Sequence, residues 1–339
     1  MIKARNVNAP NTRSSAHVAG PRDYIRMARF DHMTKHIFIV PGIALAALLR
    51  PEATQALPFN VIVGFGAAVA IASANYVVNE WLDRDFDAHH PEKSQRAAVQ
   101  TPLDFRVVYG FYALLLAIGL GLAALVNDTF FLVAAVFAVA GVLYNVPPVR
   151  TKDRIVIDVL SESLNNPLRL MLGWTMVDPG TLPPASLLLA FWFGGAFLMN
   201  SKRLAEFREI VSTRGRETLE LYRPSFARYS ETGLSVANLT YALACAFFVA
   251  TFVVKYRIEY VLLFPFVVAL FAEYYWLTLR PESVARAPEK LFKARRLMLL
   301  TVAAASVAVI TTLVDMPGLD RLAEQHFIEL ADSTAQGVD

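Results

Sequence analysis

Asn79, Asp83 and Asp87 follow one another at four-residue intervals in NYVVNEWLDRDFDAHHPEKSQR, residues 75–96. Each four-residue step turns an α-helix by about 40°, so the three lie on one narrow stripe. Asn75 extends the stripe by a turn and Glu80 stands beside it. Mg2+ takes one or two carboxylates and completes its shell with waters and substrate phosphates. Asp83 and Asp87, with Asn79 and Glu80, suit that role. His89, His90, Lys93 and Arg96 come directly behind them. Opposite charges in this order describe a metal–phosphate site better than a solvated helix end. The pattern argues against zinc, because adjacent histidines diverge on a helix and the other donors are hard oxygens.

Two further stretches carry charge at helical spacing. In YNVPPVRTKDRIVIDVLSESLNNPLRLMLGW, residues 144–174, Arg150 and Lys152 precede Asp158, Glu162, Asn165 or Asn166, and Arg169. Polar groups recurring on one face of an apolar helix must line a cavity. In MNSKRLAEFREI, residues 199–210, Lys202 and Arg203 close an apolar run, with Glu206 one turn on. Basic residues at such a position are also the ordinary mark of a cytoplasmic helix end. Together the three clusters describe one pocket for metal and phosphate, above a lipid-accessible cavity.

The elements that must hold this pocket are membrane spans. Of the 339 residues 55% are hydrophobic and 18% charged, and the mean hydropathy is +0.42. Such a chain belongs in a bilayer. Apolar runs at about 37–49, 58–80, 105–126, 129–146, 155–177, 183–201, 236–254, 259–279 and 296–314 predict nine spans. The third and fourth form a tight hairpin at Asn127–Asp128. Of the 32 Lys and Arg residues, 27 fall in the N-terminal segment and in the loops after spans two, four, six and eight. This bias predicts a cytoplasmic N-terminus and an external C-terminus. Residues 1–20 read as disordered, 21–315 as the transmembrane domain, and 316–339 as a non-cytoplasmic tail with an amphipathic helix near 318–331. No cleavable signal peptide is expected. The single cysteine, Cys245, excludes an intrachain disulfide and argues against a zinc–thiolate site. No nucleic-acid partner is expected, and a homo-oligomer is left open.

Asn79-Glu80-x-x-Asp83-x-x-x-Asp87 resembles the first aspartate-rich motif of the UbiA superfamily of intramembrane prenyltransferases. Tyr144–Lys152, with its Pro-Pro pair, resembles the segment before that superfamily's second acidic motif. The resemblance implies an all-α polytopic fold, nine transmembrane helices around a central cavity with cytoplasmic cap helices, and a bacterial cytoplasmic membrane location. Within the superfamily, Asp87 to Arg96 with its His90-Pro91-x-Lys93 core is similar to the decaprenyl-phosphate phosphoribosyltransferase branch. So are Lys152 before Asp158, Arg169 and Gly173 after it, and Lys202-Arg203-Leu204-Ala205-Glu206. Glu80 stands where the motif has aspartate, and Ala97 where the branch has proline.

This resemblance implies Mg2+-dependent transfer of 5-phosphoribose from phosphoribosyl diphosphate to a polyprenyl phosphate, releasing diphosphate. Asp83, Asp87, Asp158 and Lys93 would be catalytic, with the metal on Asn79, Glu80, Asp83 and Asp87. His90, Arg96, Arg150, Lys152, Glu162, Asn165, Arg169, Lys202 and Arg203 would bind substrate. Asp158 and Glu162 could hold a second metal or the ribose hydroxyls. The alternative is transfer of a prenyl group from a prenyl diphosphate to an aromatic or other acceptor, since the same metal chemistry serves both. A transporter is disfavoured, because its binding groups belong near the bilayer midplane.

Overall fold

The computed structural model describes residues 19–53, 57–90, 93–280 and 293–319. Every regular element among them is a helix. Helix α1 (Pro21–Met27) is followed by a 3-10 stretch, Phe30–Ile39, that runs into α2 (Val40–Leu49). Then come α3 (Leu57–Asp87), the short α4 (Ala97–Gln100), α5 (Phe105–Val126) and α6 (Asp128–Asn145). Next are α7 (Ile157–Ser163), α8 (Asn165–Val177), α9 (Ala185–Arg214) and α10 (Arg216–Tyr222). The described chain ends with α11 (Glu231–Tyr256), α12 (Phe264–Thr278) and α13 (Arg295–Leu313).

Among the described residues, six helical segments are long and apolar enough to cross a membrane. They match predicted spans two, three, four, seven, eight and nine. The other three take different forms. The first is a shorter apolar helix, His36–Leu49. The fifth is divided between α7 and α8. Pro167 explains the division: it has no N–H to offer the Ser163 carbonyl, and its ring crowds that turn. The sixth is the apolar half of α9, which continues into charged sequence. The N-terminal segment before Ala19 and the tail beyond residue 319 lie outside the described residues, as does most of the predicted tail helix.

Length explains how the site is presented. At 1.5 Å per residue the 31 residues of α3 extend about 46 Å, against a hydrocarbon core of about 30 Å. Its last turns, with Asp83 and Asp87, therefore project beyond the apolar slab. The 30-residue α9 does the same with Lys202, Arg203 and Glu206. The α5–α6 turn is tight because Asn127 caps α6, accepting from the Phe130 N–H at 2.8 Å while its own amide donates to the Thr175 carbonyl.

The core joins α3, α6 and α8. Ala67, Ala68, Ile71 and Ala72 pack on Phe130, Val133, Ala134, Phe137 and Ala138, and on Leu168, Leu172 and Met176. Small residues here let backbones approach closely, as apolar solvent requires. A second cluster joins Val159, Phe197, Tyr241, Tyr274 and Leu297. Outward-facing Ile62, Leu132, Leu243, Phe247 and Leu299 are exposed, as expected of a lipid-facing belt.

Gly42 and Gly173 mark the closest crossing, between α2 and α8. A Cβ on Gly173 would run into the Ile39 carbonyl, and one on Gly42 into the Leu170 carbonyl. Gly173→Ala should destabilise the protein by about 1–3 kcal/mol, as overpacking does, measured by thermal unfolding in detergent. Gly110→Ala, which meets nothing within 4 Å, should leave stability equal or slightly higher. Equal effects of the two substitutions would contradict this packing.

Candidate active site

The three charged stretches meet at one end of the bundle. Asp83, Phe86 and Asp87 of α3, Lys93, Arg150, Lys152, Asp153, Arg223 and Pro224 line a common cleft. Asp83 is its hub. The Arg150 guanidinium donates to Asp83 Oδ1 at 2.8 Å, and Lys152 pairs with the same oxygen. Asn79 Nδ2 donates to Asp83 Oδ2 at 3.1 Å and also to Asn145 Oδ1, which accepts from Lys152 at 3.0 Å. The helical stripe thus acts as a unit: Asn79 orients Asp83 while Asn145, from α6, bridges it to Lys152. Arg150 adopts a positive φ of 28°. Its guanidinium holds it there by donating to Asp153 at 2.7 Å and lying over the Phe86 ring.

Asp87 pairs with Arg96. The His90 Nδ1 accepts from the Lys93 N–H at 3.2 Å. Burial, with the Lys93 charge beside it, pushes the His90 imidazole down to about 3, so it remains a neutral acceptor that shapes the loop. Burial likewise pulls Lys93 down to about 8, against the opposing pull of Glu206 and Asp87. Lys152 also falls to about 8 by burial, although Asp83 favours its charge. Pro91 lies outside the described residues.

The second acidic stretch forms a separate, drier network. Asp158 is 0% exposed and Arg203 2%. Asp158 Oδ2 accepts from Arg203 at 3.4 Å, Arg223 at 3.1 Å and Ser225 at 3.3 Å, and Oδ1 accepts from Tyr229. Arg203 also pairs with Glu162 and with Glu206 at 3.5 Å. Glu162 accepts from the Tyr144 hydroxyl at 2.8 Å. Val156, which precedes α7, has a φ of 67°, costly for a β-branched residue. Its N–H donates to Tyr229, the tyrosine that donates to Asp158. The segment after α10 therefore braces both the strained entry to α7 and its first carboxylate.

Several predicted residues lie outside the cleft wall. Glu80 accepts from the Ala98 N–H at 3.3 Å, so it holds the following loop rather than facing Asp83. Asn165 donates to the Glu162 carbonyl at the α7–α8 junction. Arg169 is 9% exposed, lies over the Phe137 ring, and has an Nε without a hydrogen-bond partner. Lys202 is half-buried on α9 beside Arg203. Sequence reasoning passed over Arg223, Tyr144, Asn145 and Phe86. The Tyr222-Arg223-Pro224-Ser225 sequence was the available signal for Arg223, hidden among basic residues expected on that side of a membrane protein.

Among the described residues no three His, Cys, Asp or Glu side chains cluster closely enough to hold a metal alone. Two carboxylates and an amide are enough for Mg2+, which draws its other ligands from water and substrate. The cleft donors Asp83 and Asp87, with Asn79 behind them, fit that ion.

An all-helical membrane-embedded transferase is the class that this fold and site define. The UbiA prenyltransferase family matches residues 37–312, and the chain belongs to that family. It is similar to a decaprenyl-phosphate phosphoribosyltransferase of Corynebacterium glutamicum, 31% identical over 65% of this chain and 66% of that protein. It is also similar to a protoheme IX farnesyltransferase 2 of Shewanella loihica, 30% identical over 51% and 54%. The chain thus spans just under two thirds and about half the length of these two curated relatives. A UbiA homolog from Archaeoglobus fulgidus, solved with GPP and Mg2+, shares the fold at a TM-score of 0.63, with 18% identity over 86% of this chain and 100% of that one. An apo UbiA homolog from Aeropyrum pernix K1 does so at 0.55, with 16% identity over 82% and 99%.

Lys93 can grip a phosphate only while protonated. Its contribution is complete below its own value and fades as pH rises through about 8. Inorganic diphosphate should therefore lose more affinity in the wild type than in Lys93→Arg between pH 7 and 9, measured by calorimetry. Identical pH profiles for the two proteins would contradict this role.

Proposed function

We propose that the enzyme transfers 5-phosphoribose from phosphoribosyl diphosphate to a polyprenyl phosphate, in a Mg2+-dependent reaction at the cytoplasmic membrane face. The observation that carries this is the cleft wall: Asp83 and Asp87 stand among four cations, Lys93, Arg150, Lys152 and Arg223. A prenyl diphosphate with a neutral acceptor brings one strongly anionic group. Phosphoribosyl diphosphate with a lipid phosphate brings three, counting the 5-phosphate, and so matches a cleft this basic. Similarity to the Corynebacterium protein supports the same donor and acceptor class. Prenyl transfer is the second reading, supported by the family match and by the farnesyltransferase relative.

When bound, Mg2+ would neutralise the departing diphosphate and orient it. Asp83 and Asp87 would hold that ion, with Asn79 fixing Asp83. Lys93, Arg150 and Lys152 would hold phosphate oxygens, acting on charge that develops as the anomeric C–O bond breaks. The lipid phosphate is already an anionic nucleophile, so no strong general base is required. His90 keeps the Lys93 loop in shape, and Lys202 stands near enough in charge to Glu206 and Lys93 to belong to the same field. Nine crossings, the first and sixth extended by their polar flanks, would place the N-terminus in the cytoplasm and the C-terminus outside.

The direct check incubates purified protein with Mg2+ and either labelled phosphoribosyl diphosphate plus polyprenyl phosphate, or labelled prenyl diphosphate plus aromatic acceptors. The expected outcome is lipid-linked phosphoribose from the first pair alone, with at least a hundredfold lower rate in Asp83→Asn, on the order of the loss of one strong electrostatic contact. Product from the second pair alone would establish prenyl transfer instead.

A further inference from the structure

The geometry points to Arg223 as an anion-binding residue that stands, with Arg203 behind it, where the sequence suggested a second metal ion. This deepens the proposed function and rests on its placement of the anionic substrate in the cleft. Asp158 and Glu162 have the right chemistry for a metal on paper. In the folded protein they do not fit one. Asp158 is wholly buried, and both its oxygens are filled by donors: Tyr229 on Oδ1, and Arg203, Arg223 and Ser225 on Oδ2. Glu162 Oε2 accepts from Arg203 and from Tyr144. Neither carboxylate lines the cleft, whereas Arg223 does. A metal at this place would have to expel two guanidinium groups that hold three carboxylates, Asp158, Glu162 and Glu206.

The arginines supply what that metal would have supplied. Burial works against the Arg223 charge, but Tyr144, Asp158 and Glu162 around it hold its pKa above the ordinary arginine value, so it stays charged. It donates to Asp158 and to the Tyr144 hydroxyl through one nitrogen, Nη2, and to Ser225 through Nε. The cleft-facing remainder of its planar fork is of a kind that suits phosphate oxygens. Arg203 makes no approach to the cleft. It is a positioning residue that keeps Asp158 and Glu162 paired, and through Asp158 fixes the direction of Arg223. The enzyme would thus meet its anionic substrate with one divalent cation on α3 and one fixed cation from the segment after α10.

The test uses the full chain in detergent, with Mn2+ and inorganic diphosphate as probes. Diphosphate leaves under either donor reading, so the outcome does not depend on which donor is correct, and the product assay tests that separately. Spin-resonance titration should give one Mn2+ per chain without dipolar coupling to a second. Arg223→Gln should bind diphosphate about tenfold more weakly or worse, as loss of a charged hydrogen bond implies, with the Mn2+ count unchanged, and Arg223→Lys should recover part of the loss. Two coupled Mn2+ ions per wild-type chain would overturn the proposal, as would undiminished diphosphate affinity in a folded Arg223→Gln protein. Should that variant fail to fold, the wild-type count decides the matter.

Discussion

The pairing of Asp83 with Arg150 and Lys152 is the interaction on which the site depends. It brings a carboxylate from α3 against two cations from the segment between α6 and α7, at the end of the bundle where both helices leave the apolar slab. Neither charge could be kept there alone: an unpaired buried ion costs several kcal/mol, and pairing with extra hydrogen bonds is what makes burial tolerable. Asn79 and Asn145 supply those extra bonds. The pair also connects two functions. While Arg150 and Lys152 hold Asp83, its Oδ1 is occupied. Donor phosphates that attract the two cations free that oxygen for a metal ion, so metal and donor should bind with mutual help.

Around this hub the site divides into a wet half and a dry half. The wet half, Asp83, Asp87, Lys93, Arg150 and Lys152, faces the cleft and can exchange partners. The dry half, Asp158, Glu162, Arg203 and Glu206, is closed by its own ion pairs and by Tyr144, Ser225 and Tyr229. Arg223 belongs to both, anchored in the dry half and exposed to the wet one. The division follows from helix length and kinking. Helix α3 carries its carboxylates outward, while α7, set off by the break at Pro167, keeps Asp158 beneath the covering segment after α10.

Much of this was legible in the sequence, and the reason is physical. Four-residue spacing places Asn79, Asp83 and Asp87 on one stripe whatever they touch. Six predicted spans appear as helices because long apolar runs have few other options in lipid. The Asn127 turn was readable from its capping residue. Spacing gives a face but not a partner, and there the reading stopped. Glu80 lies one residue from Asn79, yet a single step turns it to the Ala98 amide. Asp158 carries the same side chain as Asp83 but meets arginines that come from 45 and 65 residues further along the chain. Arg223 could not be distinguished from its basic neighbours because nothing local distinguishes it; only tertiary contact selects it.

The most direct test of the account is the affinity of the purified protein for Mn2+, measured with and without phosphoribosyl diphosphate. If donor phosphates take Arg150 and Lys152 from Asp83, the donor should tighten Mn2+ binding by about tenfold or more, within the usual range of coupling between sites. That gain should shrink in Lys152→Met, where Asp83 has one partner fewer to release. Equal Mn2+ affinity with and without the donor in the wild-type protein would contradict the account.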